Sequence, residues 1–424
     1  MKAIVFRRSI PRFAALKLIA PTWRKLYDWP AAWPISLEDV PEPALPTPAW
    51  VRVAPRLSGV CGSDLSTIFA KGSPYLAPVT SMPFVLGHEV VGTVTEAGAE
   101  AEGVHVGDRV VLHPALGCVV RGIDPPCRAC REGRDAQCVN VTRGVISRGI
   151  QTGYCRDTGG GWSGSLVAHA SQLHRVPQGV SDRAAVLIEP FACAMHGALK
   201  ARPGPDDVVL VIGAGSIGLL TIAALRATGC RAKVMAVARY EHQAALAIAL
   251  GADRVLPARS GVAERYRQWA EALGAEVLRP ELGKPTVLGG ADVVYDCAAT
   301  SESIDDAVRF TRGGGHVVLV GMPGIPRNVD WTPLWHKELT LSAAYAYGPE
   351  WVGPGDAEND GDAAAPLCRE VATFEMAIER MAEWAPRLEG LVGEPFPLEQ
   401  YPQALRCAMN TGRSRVIKTV FRID

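Results

Sequence analysis

The chain has 424 residues, too many for one ordinary hydrophobic core, so two domains are the starting expectation. Lysine plus arginine and aspartate plus glutamate balance at 44 each, which favours neither nucleic acid nor an anionic membrane as a partner. The first residues lack the pattern of a secretory signal, and no apolar run approaches the roughly 18 residues that span a bilayer. We therefore expect a soluble cytoplasmic protein whose 11 cysteines are not a disulfide framework.

The chain opens with strand-like alternation over residues 1–6, and this pattern resumes at residues 50–53. Between these strands, residues 11–28 mix apolar and basic side chains and indicate a short helix. The prolines between residues 30 and 48 then favour an extended, loop-like path. We interpret this intervening segment as a cover over the core of its own domain, in preference to a cover over a cleft or a subunit surface.

A thiol and a hydroxyl follow the second strand, in the sequence GVCGSD at residues 59–64. Glycines on both sides of Cys61 permit a tight turn and the close approach of another group. The Cys61 thiolate suits zinc, and the Ser63 hydroxyl is placed to handle the proton of an alcohol. The alternative is that Cys61 is a small apolar residue in a turn.

A strand-like apolar run at residues 84–94 carries His88 and Glu89 side by side. Burying two such polar groups is unfavourable unless a metal or a hydrogen-bonded partner compensates them. Because a candidate cysteine ligand stands upstream, we favour the metal over a structural hydrogen-bonded pair. A turn and another strand follow at residues 107–112.

Four cysteines fall in a 21-residue window, at Cys118, Cys127, Cys130 and Cys138. Two thiolates on a CxxC turn and two more from cysteines in the flanking segments complete a tetrahedral zinc site. Such a site is structural, because no coordination position remains for substrate. Asp124 is the alternative fourth ligand, and a redox CxxC is the alternative function. We favour zinc with Cys118 as the fourth ligand.

Residues 149–165 are rich in glycine and predict a flexible loop that lines a pocket, with Trp162 among the wall residues. A strand is expected at residues 165–168, followed by an apolar stretch that contains Glu189. Glu189 is either a ligand or general base, or a carboxylate that caps the helix after it.

The second half of the chain begins with a buried strand at residues 207–212, which leads into a glycine-rich loop and a helix. In this context GxGxxG is a strong signal for dinucleotide binding, because the loop and helix N-terminus together hold a pyrophosphate. The loop consists of Gly213, Ala214, Gly215, Ser216, Ile217 and Gly218.

Further strands at residues 233–238, 291–296 and 316–321 predict a doubly wound parallel sheet. Proteins that bind NAD usually carry an acidic residue after the second strand, where this chain has Arg239 and Tyr240. Arg239 suits a 2′-phosphate, so we favour NADP over NAD. An acidic insertion at residues 353–361 and a final strand at residues 415–421, returning to the first domain, complete the prediction.

The ordered motifs GVCGSD, GHE, GDRV, the cysteine window, IEP and GAGSIG resemble those of the zinc-containing medium-chain dehydrogenases, nearest to the sorbitol, threonine and glucose dehydrogenase branch. The resemblance covers the chain from about residue 51 onward. It implies an α/β protein with a GroES-like, β-rich catalytic domain from residues 1–190 and 347–424. Residues 191–346 form the inserted Rossmann domain, a doubly wound parallel sheet.

The resemblance also implies that Cys61 and His88 bind catalytic zinc and that Ser63 contacts the substrate hydroxyl. Glu189 occupies the position of the third protein ligand, and Glu89 replaces or supplements it in the polyol branch. The implied reaction is hydride transfer between an alcohol, or its ketone, and a nicotinamide cofactor. Relatives form dimers or tetramers, so we expect a homo-oligomer that acts on a small-molecule substrate.

The chain departs from the family pattern at three places. Ser66 stands where many relatives carry a histidine that relays the proton to solvent. Asp124 stands at the usual first cysteine of the zinc lobe, so Cys118 has to arrive from a longer loop. Residues 8–42 exceed the usual opening and have no counterpart. Two other functions stay open: a zinc-independent reductase of activated double bonds, and a non-catalytic NADPH-binding protein.

Overall fold

The computed structural model describes residues 1–352 and 369–423, which divide into two compact units. Unit 1 comprises Met1–Glu189 and Ala377–Asp424, and unit 2 comprises Pro190–Met376. The sequence predicted the second boundary near residue 347. Unit 2 extends to Met376, and within it the Glu350 carboxylate lies 2.9 Å from His196 Nδ1 and 2.6 Å from Lys200 Nζ. The predicted insertion at residues 353–361 lies outside the described residues.

Strands and helices occur in both units. The strands, in chain order, are β1 (Lys2–Phe6), β2 (Ile35–Asp39), β3 (Trp50–Gly59), β4 (Phe84–Val85), β5 (Val90–Ala97), β6 (Arg109–Leu112), β7 (Leu166–His169), β8 (Leu173–Arg175), β9 (Val208–Ile212), β10 (Lys233–Ala238), β11 (Arg254–Pro257), β12 (Glu276–Leu278), β13 (Thr286–Leu288), β14 (Ala291–Asp296), β15 (Thr311–Leu319), β16 (Thr340–Ala343), β17 (Pro349–Val352), β18 (Arg369–Ala372), β19 (Phe396–Pro397) and β20 (Val420–Arg422). The α-helices are α1 (Ile10–Ala14), α2 (Gly62–Ile68), α3 (Arg128–Arg131), α4 (Asp182–Ala185), α5 (Ile188–Leu199), α6 (Ser216–Ala227), α7 (Glu241–Ala249), α8 (Val262–Leu273), α9 (Ser301–Phe310), α10 (Thr332–His336), α11 (Thr373–Leu388), α12 (Tyr401–Met409) and α13 (Thr411–Ser414). Short π or 3-10 turns occupy Ala15–Ile19, Arg24–Asp28, Pro30–Ala32, Pro74–Val79, Asp135–Gln137, Ala170–Gln172, Glu389–Leu391 and Leu398–Gln400.

Unit 1 is built on a sheet in the order β19-β20-β3-β5-β6-β8, with β7 also paired to β3, and on a smaller sheet in the order β2-β1-β4. Inward-facing side chains of β3 and β5, including Val51, Val53 and Val94, pack into a buried core. The final strand returns to this unit as predicted, and β20 pairs antiparallel with the end of β3, where Val420 lies opposite Gly59. The ends of β3 and β20 are therefore neighbours.

The run at residues 84–94 was predicted as one strand, and this is wrong. It forms β4 and β5 in different sheets, separated by irregular backbone at residues 86–89. The break occurs at Gly87, whose φ of +96° suits glycine. A Cβ at Gly87 would lie 2.4 Å from the Trp162 side chain. The break frees His88 and Glu89 from the sheet.

Three other expectations about local structure need correction. Residues 11–28 do not form one short helix but α1, a π turn and a 3-10 turn, and the proline-rich path that follows contains β2. The last strand is shorter than predicted: Val420–Arg422 forms β20, Lys418 makes an isolated bridge with Val392, and Arg415 takes a left-handed conformation with φ of +59°. The loop at residues 149–165 is packed in the interior. Trp162 is fully buried and donates from Nε1 to the Gly59 carbonyl, so it is not a pocket wall.

Unit 2 contains a parallel sheet in the order β11-β10-β9-β14-β15-β16. Its central strand β9 carries the buried apolar run that the sequence indicated, and β10 and β14 flank it in register. Leu210, Met235 and Val294 of the sheet pack with Tyr266 and Trp269 of α8 and Phe310 of α9 in a buried core. The doubly wound parallel sheet predicted from the sequence is present. Among the residues described, no helix is both long and apolar enough to cross a membrane.

Candidate active site

Helix α2 places Cys61 at its N-terminal cap and Ser63 in its first turn. Asp64 fixes this turn, because its Oδ2 accepts a hydrogen bond of 2.9 Å from the Cys61 backbone N–H. Asp64 is fully buried, so its carboxylate satisfies a helix end that would otherwise be unpaired. The side chain of Cys61 is thereby held in one direction.

Three segments converge beside Cys61. The Gly59 N–H donates to the Glu89 carbonyl at 2.8 Å, and the Val60 N–H donates to the Thr419 carbonyl at 2.9 Å. These bonds tie the end of β3 to the irregular backbone after β4 and to the residues before β20. As a result, ligand atoms of Cys61, His88 and Glu89 lie within 4.8 Å of one another.

His88 is buried and oriented by Asp64, whose Oδ1 lies 3.5 Å from His88 Nδ1. A carboxylate behind a histidine fixes the ring orientation and raises its basicity as a ligand. Burial acts to lower the pKa of His88, but the Asp64 carboxylate and the Cys61 sulfur outweigh it and raise that pKa well above its usual value. Asp64 therefore organises two of the predicted zinc ligands, one through the backbone and one through the ring.

Glu89 forms a buried ion pair with Lys418, whose ammonium group donates to the Glu89 carboxylate. Gly59 makes room for this pair, since a Cβ there would overlap the Glu89 carboxylate. Burial opposes charge on Lys418, but Glu89, with further contributions from Cys61 and Glu189, raises its pKa above the usual value. Lys418 thus supplies a fixed positive charge beside the candidate ligands.

The donor set fits zinc. Thiolate, imidazole and carboxylate are all zinc ligands, and a set of three protein ligands leaves a fourth position for substrate. Glu189 lies in the first turn of α5 and is buried, but it stands outside the group formed by Cys61, His88 and Glu89. The structure brings Glu89 next to the cysteine and the histidine.

The Ser63 hydroxyl oxygen is buried, and it acts on the Tyr154 hydroxyl as a hydrogen-bonding group that lowers the pKa of Tyr154, against the larger effect of burial. Ser63 and Thr67 are four residues apart in α2 and so share one helical face. Tyr154 comes from the glycine-rich loop to this face, with its hydroxyl 3.2 Å from Thr67 Oγ1 and 3.4 Å from Asp64 Oδ1. Burial, followed by Asp64, raises the pKa of Tyr154 well above its usual value, so the hydroxyl stays protonated.

The cysteine window folds into a second ligand set, in which Cys118, Cys127, Cys130 and Cys138 all lie within 4.8 Å of one another. Cys118 and Cys138 have their sulfurs 3.6 Å apart, and those of Cys127 and Cys138 are 3.9 Å apart. Four sulfurs at about 2.3 Å from a tetrahedral zinc are about 3.8 Å apart, whereas a disulfide needs about 2 Å. The spacing fits zinc, and Asp124 is not a member of the set.

Backbone and side-chain N–H groups surround these sulfurs, as expected for thiolates. Cys118 Sγ accepts from the Cys127 N–H and from Asn140 Nδ2, both at 3.3 Å. Cys138 Sγ accepts from the Asn140 N–H at 3.3 Å. Burial raises the pKa of Cys127, but N–H groups of Cys130 and Val139 outweigh it and lower that pKa to about 6. Burial raises the pKa of Cys138 to about 11 and also raises that of Cys130, so the four thiols do not all favour the thiolate form on their own.

The glycine-rich loop of unit 2 joins β9 to α6 in the geometry that the motif predicted. Gly213 has φ of +101°, which makes the tight turn, and a Cβ at Gly218 would lie 1.7 Å from the Gly213 carbonyl oxygen. Gly215, the N-terminal cap of α6, has open space where a Cβ would be. Close packing at Gly218 and free space at Gly215 are what a pyrophosphate at a helix N-terminus requires.

Two arginines flank Tyr240 after neighbouring strands of the parallel sheet. Arg239 follows β10 directly, and Arg259 follows β11, whose Pro257 pairs with Ala238. The guanidinium carbons lie 5.8 Å and 4.4 Å from the centre of the Tyr240 ring, respectively. Within the described residues neither arginine makes an ion pair. The predicted Arg239–Tyr240 pair is therefore joined by a second cation that the sequence analysis did not identify.

Comparison with known proteins agrees with this arrangement. Residues 47–178 match the model for the alcohol dehydrogenase GroES-like domain, and residues 216–356 match that for zinc-binding dehydrogenase. Sorbitol dehydrogenase of Arabidopsis thaliana is 30% identical over 323 residues, covering 76% of this chain and 77% of the relative. The chain belongs to the zinc-containing medium-chain dehydrogenases. It is therefore an oxidoreductase of the alcohol and polyol dehydrogenase class, and the predicted family and fold class are confirmed.

Two further proteins are similar to this chain. L-idonate 5-dehydrogenase of Vitis vinifera is 29% identical over 301 residues, covering 71% of this chain and 74% of the relative. Galactitol-1-phosphate dehydrogenase from Escherichia coli has the same fold, with a TM-score of 0.69 at 22% identity over 100% of both chains. Family membership brings zinc and a nicotinamide dinucleotide as cofactors.

Four residues at the site were missed by the sequence analysis: Asp64, Thr67, Tyr154 and Lys418. Asp64 had a local signal, since it stands three residues after the cap of α2, where an acidic side chain reaches back to the cap. Lys418 had no such signal, because 329 positions separate it from Glu89.

Proposed function

We propose that this dehydrogenase depends on zinc and transfers a hydride between a secondary alcohol or polyol, or the corresponding ketone, and NADP(H). The observation that carries the proposal is the close set of Cys61, His88 and Glu89, of which His88 and Glu89 are buried, beside the Ser63 hydroxyl. The names of the relatives, sorbitol dehydrogenase and L-idonate 5-dehydrogenase, support a polyol or a related hydroxy compound as substrate.

The residues around the metal position have separate roles. A bound zinc supplies Lewis-acid polarisation of the substrate oxygen. Cys61 and His88 hold the metal, and Asp64 fixes both of them. Glu89 faces the same position and is paired with Lys418. We assign Glu189 a supporting role, because its carboxylate acts on Lys418 and lies outside the close ligand group.

Ser63 is the hydroxyl to which we assign the substrate proton. Its oxygen is buried next to the Tyr154 hydroxyl, with which it interacts. Ser66 stands where many relatives carry a relay histidine, and its side chain does not titrate. Tyr154 and Thr67, in contrast, present hydrogen-bonded hydroxyls on the same side of α2. We propose that the proton leaves Ser63 through these two hydroxyls, since Thr67 is partly exposed.

The arginine pair supports NADP in preference to NAD. A 2′-phosphate carries charge that a guanidinium recognises through several N–H groups, and no acidic residue stands at the end of β10. Arg239 and Arg259 both lie against Tyr240, whose ring offers a stacking surface. We propose that these two cations hold the 2′-phosphate at the same edge of the sheet as the glycine-rich loop.

A cofactor and substrate screen tests this function. The purified, zinc-loaded protein is assayed with NAD and with NADP against alcohols, polyols and ketones by reduced-cofactor absorbance, and zinc is measured by elemental analysis. We expect zinc at both ligand sets, turnover of a secondary alcohol with NADP, and loss of turnover in Cys61→Ala. Cys407→Ala is the matched control, since Cys407 belongs to neither set.

The outcomes separate the three functions. Enone reduction that persists after chelation of the catalytic zinc would instead favour a reductase of activated double bonds. Cofactor binding without turnover, unchanged in Cys61→Ala, would favour a non-catalytic protein. Arg239→Ala and Arg259→Ala should each weaken binding of 2′,5′-ADP tenfold or more, roughly the loss of one charge-assisted contact. Binding of 5′-AMP should change little.

A further inference from the structure

Residues 8–29, the first part of the segment 8–42 that was predicted to have no counterpart in the family, form an ordered surface on unit 1. Its inner side is anchored in a buried core through Leu16, Ala20 and Leu26. Further contacts fix its position: Lys17 donates to the Ala70 carbonyl at 3.0 Å, and Arg12 donates to the Trp33 carbonyl at 2.9 Å. The segment is therefore held in a defined conformation by the domain beneath it.

The outer side of this segment is unusually apolar. Six large apolar side chains are at least 50% exposed: Ile10, Phe13, Leu18, Ile19, Trp23 and Trp29. Single exposed apolar residues need no explanation, but a concentration of this kind in one short segment marks an interaction surface. Two of the six are tryptophans, which favour boundaries between apolar and aqueous environments.

The same segment is strongly basic, although the whole chain is electrically balanced. Residues 7–29 contain six basic residues and one acidic residue, Asp28. Arg7 is compensated by Glu38 at 2.6 Å. By contrast, Arg8, Arg24 and Lys25 are exposed and form no ion pair with any described residue. The balanced total charge therefore conceals a local excess of positive charge.

Lys71 adds a further cation to this surface from a neighbouring loop. Its ammonium nitrogen lies 4.5 Å from the centre of the Tyr27 ring. Burial, followed by the charge of Arg24, lowers the pKa of Lys71. Two like charges this close raise the local potential and favour an anionic partner. We name the surface formed by residues 8–29 and Lys71 the basic-aromatic face.

We propose that the basic-aromatic face docks this protein on the surface of an anionic lipid bilayer. Aromatic and aliphatic side chains beside lysine and arginine are the composition of elements that lie in a membrane interface, with apolar groups among the acyl chains and cations at the phosphates. A second copy docked on the same face through a two-fold axis would bring cations against cations. The charge therefore favours lipid over self-association.

Vesicle sedimentation tests this proposal without reference to catalysis. The full-length, zinc-loaded protein is mixed with phosphatidylcholine vesicles, or with vesicles in which about one third of the lipid is phosphatidylglycerol, a fraction that gives a strongly negative surface. We expect binding to the anionic vesicles, weak binding to the neutral ones, and a marked decrease at high salt. Two double variants remove the apolar and the charged parts of the face separately: Phe13→Ser with Trp23→Ser, and Arg24→Glu with Lys25→Glu.

The charge-reversal pair should reduce partitioning about 25-fold or more, since each basic residue contributes roughly fivefold. The controls are Trp335→Ser and Arg279→Glu, exposed positions in unit 2 at which binding should not change. Unchanged melting temperatures establish that each variant folds. The proposal is overturned by absent binding, by equal binding to both vesicle types, or by equal loss in the controls. If the parent protein does not bind vesicles, and if Phe13→Ser with Trp23→Ser converts an oligomer to a monomer, the basic-aromatic face is instead a contact with a second copy of the chain.

Discussion

Replacing Lys418 by methionine tests whether the Glu89–Lys418 ion pair provides the internal counter-charge of the metal centre. The two side chains are 1% and 3% exposed, and methionine keeps most of the buried volume while it removes the charge. Removing one partner from a buried ion pair leaves an uncompensated charge, which costs about 3–5 kcal/mol. We expect the free energy of unfolding of zinc-stripped protein to fall by this amount.

The measurement is a double-mutant cycle by urea denaturation, with Lys418→Met, Glu89→Gln and the double variant. The double variant should recover most of the loss, because neither charge is then left alone. In zinc-loaded protein Lys418→Met should cost less, since Glu89 then faces a bound cation. Lys2→Met is the matched control: its pair with Glu399 is exposed to solvent, so removing the Lys2 charge should change the free energy of unfolding little. Additive single-variant costs, with a coupling below about 0.5 kcal/mol, would refute the reasoning.

Three further predictions concern the proton path, the pH dependence and the cysteine lobe. Tyr154→Phe should lower kcat about 10²-fold or more and alter the solvent isotope effect, while KM and the melting temperature stay nearly unchanged. A kcat within about twofold of the parent value would contradict the proposed proton path. Burial lowers the pKa of His113 and of His174 to about 4. The contribution of these neutral rings to the free energy of unfolding should therefore be fully present above pH 6.5 and should be lost as the pH falls toward 4. The loss should reach up to about 3 kcal/mol for each ring. Urea denaturation at several pH values should show a shallower acid loss in the His113→Asn, His174→Asn double variant, and an identical slope would contradict this. Cys130→Ser should release one zinc by elemental analysis and lower the melting temperature, whereas Cys230→Ser should do neither.

The sequence predicted those parts of the site that lie in contiguous stretches. The glycine-rich loop at Gly213–Gly218 and the cysteine window carry their chemistry in local spacing, so strand, turn and helix context was enough to interpret them. His88 and Glu89 were identified for the correct reason, the difficulty of burying them, although they were placed in the wrong secondary structure. The break at Gly87 depends on the fully buried Trp162, which no local pattern places there.

The remaining parts of the site depend on contacts between distant segments, which local patterns do not encode. Tyr154 reaches α2 from a loop whose glycines suggested flexibility, yet those glycines allow close packing of the loop in the interior. Arg259 joins Arg239 only because β11 lies beside β10 in the sheet. Predictions that remain untested include the oligomeric state and the choice between NADP and NAD.

The position of Lys418 in the sequence determines when the catalytic centre can be completed during synthesis of the chain. Glu89 leaves the ribosome 329 residues before the lysine that neutralises it, and the whole of unit 2 is made in between. The cysteine lobe and the parallel sheet have all their parts well before that point. Domains generally fold as their residues emerge. The catalytic pocket of this dehydrogenase is therefore completed late in biogenesis, when β20 docks against β3.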